Sequence, residues 1–188
     1  MLFDLENTEF EVRFLEINKS EIIKKALLLG FTDLGENILD EIIFYDKDLK
    51  WRNEGKYARL RGYAGKIILT YKHISKDAVD GAEELEIEVS DLKKAKKILL
   101  KFGLVDFRIQ QKKRHTLKKG KITLDIDTWP SIATYLEIEG EDENSIKDMV
   151  GQLGLDYTQA SFLDARKIIE SYGVDVSTFK YFTFDKIG

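Results

Sequence analysis

The chain predicts an α+β protein built on a large antiparallel sheet or barrel. About eight segments alternate apolar and polar residues with the two-residue period of a strand, against three or four helical segments. Tight-turn residues separate neighbouring strand segments, as hairpins require. The single proline, Pro130, and the lack of Ser/Gly-rich linkers leave no composition break between domains.

Taken in order, "EFEVRFLEI" (Glu9–Ile17) is a strand and "NKSEIIKKALLLG" a helix, with Ser20 as N-cap and Gly30 as its stop. "ENILDEIIFYD" is the next strand. "YARLRGYAGKIILTYKH" divides into two strands at a tight Ala64-Gly65 turn, and "AEELEIEVS" is another strand. "DLKKAKKILLKFG" is a helix capped by Ser90 or Asp91, its paired lysines forming a wet face, with Gly103 beyond its end. "RIQQKKRHTLK" and "KITLDID" are strands joined near Gly120, followed by the strand "TYLEIEG". "EDENSIKDMVGQLG" and "TQASFLDARKIIESYG" are helical, and the aromatic tail "FKYFTF" has no firm assignment.

Bulk properties narrow the function. At 188 residues the chain can bury a core without staples, and 43% hydrophobic with 34% charged residues fits a globular protein. No cysteine is present, which excludes disulfides, zinc thiolates and cysteine nucleophiles and fits a reducing cytoplasm. The N-terminus lacks a basic segment followed by an apolar run, and no stretch approaches the roughly 18 apolar residues of a membrane span, so no membrane partner is expected. A net charge of -4 argues against a nucleic-acid polymer as partner. His73 and His115, the only histidines, have no metal-ligand companions at useful spacing, and no Walker motif is present.

The strand faces carry the functional signal. Glu9, Glu11 and Arg13 share a face opposite Phe10, Val12 and Phe14. Arg59 and Arg61 share a face, Lys72 is in phase with Ile68 and Thr70, and Glu84, Glu86 and Glu88 alternate with Leu85, Ile87 and Val89. Lys112 pairs in phase with Arg114, Asp125 with Asp127, and Glu137 with Glu139. Same-face neighbours lie roughly 7 Å apart, near enough to meet one ligand. One such strand is ordinarily a solvated face. Here acidic residues, poor strand formers, recur on four strands while bases occupy three, and the opposite faces are aliphatic and must be covered. The charged side is therefore the inside. Clustered carboxylates suit Mg²⁺ or Mn²⁺, clustered Arg and Lys suit phosphate oxygens, and a polyphosphate with divalent cations satisfies both.

These residues resemble the CYTH domain, the triphosphate tunnel metalloenzymes. Glu9-x-Glu11-x-Arg13 is similar to the family's N-terminal ExExK signature. "ARLRG", "LTYKH", "ELEIEVSD", "QKKRHTL" and "LDIDTWPSIATYLEIEG" resemble its later strands in the family's order. The last segment most resembles a prokaryotic, cyclase-like subgroup. The resemblance implies an eight-stranded antiparallel β-barrel tunnel with helices packed outside, formed by residues 1–157, with 158–188 as a C-terminal helix and tail on the same domain. It also implies Glu9, Glu11, Asp127, Glu137 and Glu139 as metal ligands, and Arg13, Arg59, Arg61, Lys72, Lys112 and Arg114 as the substrate clamp. Glu9, Glu11 and Arg13 form the catalytic signature.

Arg13 stands where the family has lysine, and a guanidinium cannot exchange a proton near neutral pH. The implied function is metal-dependent hydrolysis of inorganic, nucleoside or organic triphosphates in a charged lumen. The alternatives are a class IV adenylate cyclase and a non-catalytic module that binds phosphorylated ligands. Salt bridges and metal contact are equal readings for Glu86 and Glu88, Asp125 falls further from the closing motif, and Trp129 reads as a packed hairpin corner. The sequence leaves room for a homodimer.

Overall fold

The computed structural model describes residues 10–74 and 82–188. Among the described residues nine strands are present: β1 (Phe10–Phe14), β2 (Thr32–Asp46), β3 (Lys56–Tyr63), β4 (Lys66–Ile74), β5 (Ala82–Glu88), β6 (Leu104–Lys119), β7 (Ile122–Thr128), β8 (Tyr135–Gly140) and β9 (Tyr181–Phe182). The helices are α1 (Lys19–Leu28), α2 (Lys50–Asn53), α3 (Leu92–Lys101), α4 (Glu143–Gln152) and α5 (Ala165–Ser171). The fold is α+β, as expected: eight antiparallel strands in the order β1-β8-β7-β6-β2-β3-β4-β5, with β9 parallel to β6.

The chain divides into two compact units, each with its own core. Phe10–Ile38 and Lys112–Ser177 form one. There β1, β8 and β7 pair in register, and Val12, Leu124, Ile126, Leu136 and Ile138 turn to one face. Helices α1 and α4 lay Ile22, Ala26, Ile146 and Val150 on that face. Leu39–Gln111 belongs to the other unit, where β2 and β3 present Phe44, Ala58 and Leu60 to Ala95 and Leu99 of α3. In both units strand parity sends aliphatic residues under helices and charged residues to the opposite face.

Local chemistry explains the element ends. Helix α1 is capped by Asn18, whose side chain accepts from the Glu21 N–H at 3.2 Å, so the cap lies two residues before the expected Ser20. Its end follows the expected Gly30: φ is +84°, the Gly30 N–H bonds Leu27 O and the Phe31 N–H bonds Ala26 O. Asp91 caps α3, and an Asp142/Ser145 capping box opens α4. Ala64 and Gly65 both take positive φ, which matches the twist of the β3–β4 hairpin.

Two expectations change, and the unassigned tail gains a place. The last helix, expected across "TQASFLDARKIIESYG", is a 3-10 turn at Tyr157–Gln159, an extended stretch, and only then α5. Asp156 and Asp164 each cap a separate short element, and the backbone at Ser161 is drawn out to exchange two hydrogen bonds with Arg13 of β1, at 2.9 and 2.7 Å. Strands β2 and β6 begin four residues earlier than the alternation suggests. The aromatic tail joins β6 as β9, with Tyr181 opposite Ile109.

Replacing Leu60 or Ile138, both fully buried, by Ala is expected to cost about 2–5 kcal/mol in urea unfolding. Leu28→Ala, at a side chain 80% exposed, should change stability by less than about 0.5 kcal/mol.

Candidate active site

The charged face of the unit containing β1 is set by register. Glu11 lies opposite Glu139, which lies opposite Thr123; one row on, Arg13, Glu137 and Asp125 align. Asp127 faces Tyr135 on one side and Arg114 on the other. Six expected site residues, Glu11, Arg13, Arg114, Asp127, Glu137 and Glu139, are thereby brought onto four adjacent strands.

Their contacts form one network. The Arg13 Nε donates to Glu137 at 2.8 Å, its Nη2 lies 2.6 Å from Glu11, and its Nη1 donates to the Leu163 carbonyl at 3.0 Å. Arg114 holds Asp127 through two parallel bonds of 2.7 Å and also reaches Asp125 and Glu137, the latter at 3.0 Å. The Lys112 ammonium donates to Asp127 at 2.7 Å and sits 5.4 Å from the centre of the Trp129 ring. The Trp129 indole N–H donates to the Tyr135 hydroxyl at 3.0 Å, so Trp129 is a packed corner, as read from the sequence. Asp127 is 0%, Lys112 4% and Arg13 6% exposed.

Burial works against the charge on Arg13, yet Glu137 and Glu11 outweigh it and hold its pKa above the usual arginine value. Proton exchange by Arg13 is therefore closed off more firmly than the substitution alone implies. Three cations, Arg13, Lys112 and Arg114, meet five carboxylates, Glu11, Asp125, Asp127, Glu137 and Glu139. The surplus falls on Glu139. It has no hydrogen-bonded cation among the described residues, and burial, then Glu137, Asp125 and Glu11, push its carboxyl pKa up.

The charged face of the other unit leans the other way. Arg59, Thr70 and Glu86 align across β3, β4 and β5, as do Lys72 and Glu84 one row on. The Arg59 Nη2 donates to Thr70, Glu84 and Glu86 at 3.3, 3.1 and 3.4 Å. Its Nε, on a residue only 8% exposed, has no hydrogen-bond partner among the described residues. Lys72 donates to Glu84 at 2.6 Å. Burial raises the Glu84 pKa, but Lys72 and Arg59 overcome it and lower it to about 2. Glu84, Glu86 and Glu88 all make salt bridges to basic neighbours, that of Glu88 with Lys66 lying in the open.

Glu9, the remaining predicted site residue, lies outside the described residues. Sequence reasoning missed Glu41, which is 2% exposed and accepts from Arg61 Nε at 2.7 Å, and with it Arg108, Gln110 and Tyr135. The signal for Arg108 and Gln110 was present: both continue the two-residue phase of Lys112 and Arg114 along β6.

An oxygen-only donor set with two negative charges in excess fits a hard divalent cation. Among the described residues no three such side chains form a finished cage. Asp127 is committed to Lys112 and Arg114, Glu137 to Arg13 and Arg114, and Glu11 to Arg13, which leaves Glu139 as the carboxylate with no hydrogen-bonded cation among the described residues.

A family model described as "CYTH domain" matches residues 7–172. The chain belongs to the CYTH domain family. It is similar to "Putative adenylate cyclase MJ0240" of Methanocaldococcus jannaschii, 26% identical over 132 residues that cover 70% of this chain and 75% of that one. A protein of Vibrio parahaemolyticus named a "putative adenylate cyclase" shares the CYTH fold with a TM-score of 0.74 at 16% identity, covering 88% and 99% of the two chains. HpAC1 from Hippeastrum, a "putative adenylyl cyclase" described as having a dominant triphosphatase activity, matches with a TM-score of 0.63 at 16% identity, covering 87% and 94%. No helix among the described residues of this CYTH protein is long and apolar enough to cross a membrane.

Because the Glu139 pKa is raised in the folded state, its stabilising contribution is complete below the unfolded value of 4.5 and lost as pH rises through the folded one. Glu139→Gln should therefore raise the urea midpoint of the metal-free protein near neutral pH, and the gain should close below pH 4.5. Added Mg²⁺ should stabilise the parent protein more than the variant.

Proposed function

We propose that this CYTH protein is a divalent-metal-dependent hydrolase of triphosphate substrates, inorganic, nucleoside or organic. The observation that carries the reading is the unspent charge on each face: among the described residues, an Arg59 Nε donor has no hydrogen-bond partner on one, and the Glu139 carboxylate has no hydrogen-bonded cation on the other. A buried donor and a half-buried carboxylate left in that state are costly unless a ligand completes them. Phosphate oxygens would complete the first and Mg²⁺ or Mn²⁺ the second.

Arg59, Arg61 and Lys72 would bind phosphate oxygens, with Arg13, Lys112 and Arg114 as further cations of the clamp. Glu9, Glu11, Glu137 and Glu139 would hold the cation. Asp127, expected among these ligands, would instead orient Lys112 and Arg114. When bound, such a cation supplies Lewis-acid polarisation of a phosphoryl oxygen. The chain's own contribution is positioning and charge neutralisation: fixed guanidinium and ammonium donors meet charge that grows on the leaving phosphate oxygens as the P–O bond breaks. Arg13, locked by Glu11, Glu137 and the Leu163 carbonyl, keeps its charge and orients those carboxylates without transferring a proton. We place the protein in the cytoplasm, in keeping with its lack of cysteine.

The name of the M. jannaschii relative favours a second reading, cyclisation of ATP to cyclic AMP and pyrophosphate. Incubation with tripolyphosphate, ATP and other nucleoside triphosphates plus Mg²⁺ or Mn²⁺ separates the two. Phosphate release with ADP supports the hydrolase; cyclic AMP with pyrophosphate supports the cyclase; tight binding without turnover indicates a binding module. Glu137→Gln should lower turnover by about 10²-fold or more, because it weakens a ligand charge and an Arg13 anchor together. Full activity in that variant would remove Glu137 from the site. Arg13→Lys is expected to retain binding, and a rise in turnover would show that proton exchange at this position limits the reaction.

A further inference from the structure

An anion-binding face should not spend a carboxylate on its arginines without reason. Yet Glu41, among the most buried acids of the chain, stands beside both Arg59 and Arg61. Its Oε1 accepts from Arg61 Nε at 2.7 Å and lies 3.6 Å from Arg59 Nη1. Its Oε2 accepts from Gln110 Nε2 at 2.6 Å, and the Gln110 Oε1 accepts from Arg108 Nε at 2.7 Å. Arg108 and Gln110 are 6% and 7% exposed.

The direction of this chain is forced. Arginine only donates, so Arg61 at one end and Arg108 at the other both point donors inward. Gln110 can turn one acceptor toward Arg108 only by turning its amide toward position 41. The group at 41 must then accept on both sides, which an ionised carboxylate does and an amide or a protonated acid does not. We propose that Glu41 is a positioning residue for triphosphate binding: its carboxylate, held by the Gln110–Arg108 relay, fixes the Arg61 and Arg59 guanidiniums. Anchoring Arg61 through Nε leaves its two Nη groups to meet the ligand. This rests on the reading that Arg59 and Arg61 take phosphate oxygens.

The sign of one measurement separates positioning from simple charge. Glu41→Gln removes a negative charge beside two arginines, so Coulomb attraction alone would tighten tripolyphosphate binding. Positioning requires the reverse. With Gln at 41, every arrangement of the two amides leaves one donor facing another donor, at Arg61, at Gln110 or at Arg108. The Kd for tripolyphosphate, read by titration calorimetry on the full chain, should rise about tenfold. Adding Arg108→Gln should restore it. A glutamine terminus occupies the place of the arginine Nε and offers an acceptor, so the relay can run in the opposite direction.

Unchanged or tighter binding by Glu41→Gln would overturn the proposal, as would failure of the double variant to recover. If the parent protein does not bind tripolyphosphate, the proposed function fails, and the role of Glu41 is then read without ligand. Side-chain ¹⁵N spectra should show the Arg61 and Arg108 Nε–H and the Gln110 amide protons protected from exchange in the parent, and at least one of the three exchanging faster in Glu41→Gln. Protection that survives the substitution at all three would end the case for Glu41.

Discussion

A buried charge must be answered by an opposite charge or a hydrogen bond, and that constraint governs the rest of this structure. Arg114 shows its force: one guanidinium serves Asp125, Asp127 and Glu137. Breaking such a pair on one side leaves the other charge stranded in a poorly solvated place, at a cost of about 3–5 kcal/mol. Replacing both sides by aliphatic residues would stabilise the fold at least as well. Retention of so many buried ions is therefore better explained by ligand chemistry than by stability.

Strand parity is what allows one chain to carry both an oily core and this charged face. Leu136 and Ile138 of β8 are sealed under α1 and α4, while Glu137 between them and Glu139 beyond face the other way. A one-residue slip in the β1–β8 register would bury Glu11 and Arg13 among aliphatic side chains and expose Val12. The apolar face thus fixes the register, and the register sets which acid stands beside which base. The long reach of Arg13 to the Leu163 carbonyl adds a tertiary check, since it ties the chain after Ser161 to the first strand.

Much of this was legible in the sequence because the signal is local. The two-residue phase of Glu137–Glu139, Arg59–Arg61 and Lys112–Arg114 identifies which side chains share a face, and the glycines at 30 and 103 end their helices where expected. What escaped was set by register or by competition. Asp40 and Glu41 are adjacent, so either could have faced inward, and the run Ile42-Ile43-Phe44 hides the parity. Only pairing with β3, which sets Glu41 against Arg61 and leaves Asp40 exposed, decides between them. The commitment of Asp127 to two bases depends likewise on β6 lying beside β7. The expected final helix failed because Asp156 and Asp164 offer competing caps and β1 offers Ser161 a strand partner.

The central claim is that the buried charges of each unit form a face prepared for a ligand, an anion on one and a divalent cation on the other. Thermal unfolding of the full chain with tripolyphosphate alone, Mg²⁺ alone and both together tests it most directly. Each ligand should raise the midpoint on its own, and the pair should raise it further than either alone, because each binds the folded state at a face with charge left over. Midpoints that stay fixed under all three conditions would mean the ionised side chains answer only one another, and the account would be wrong.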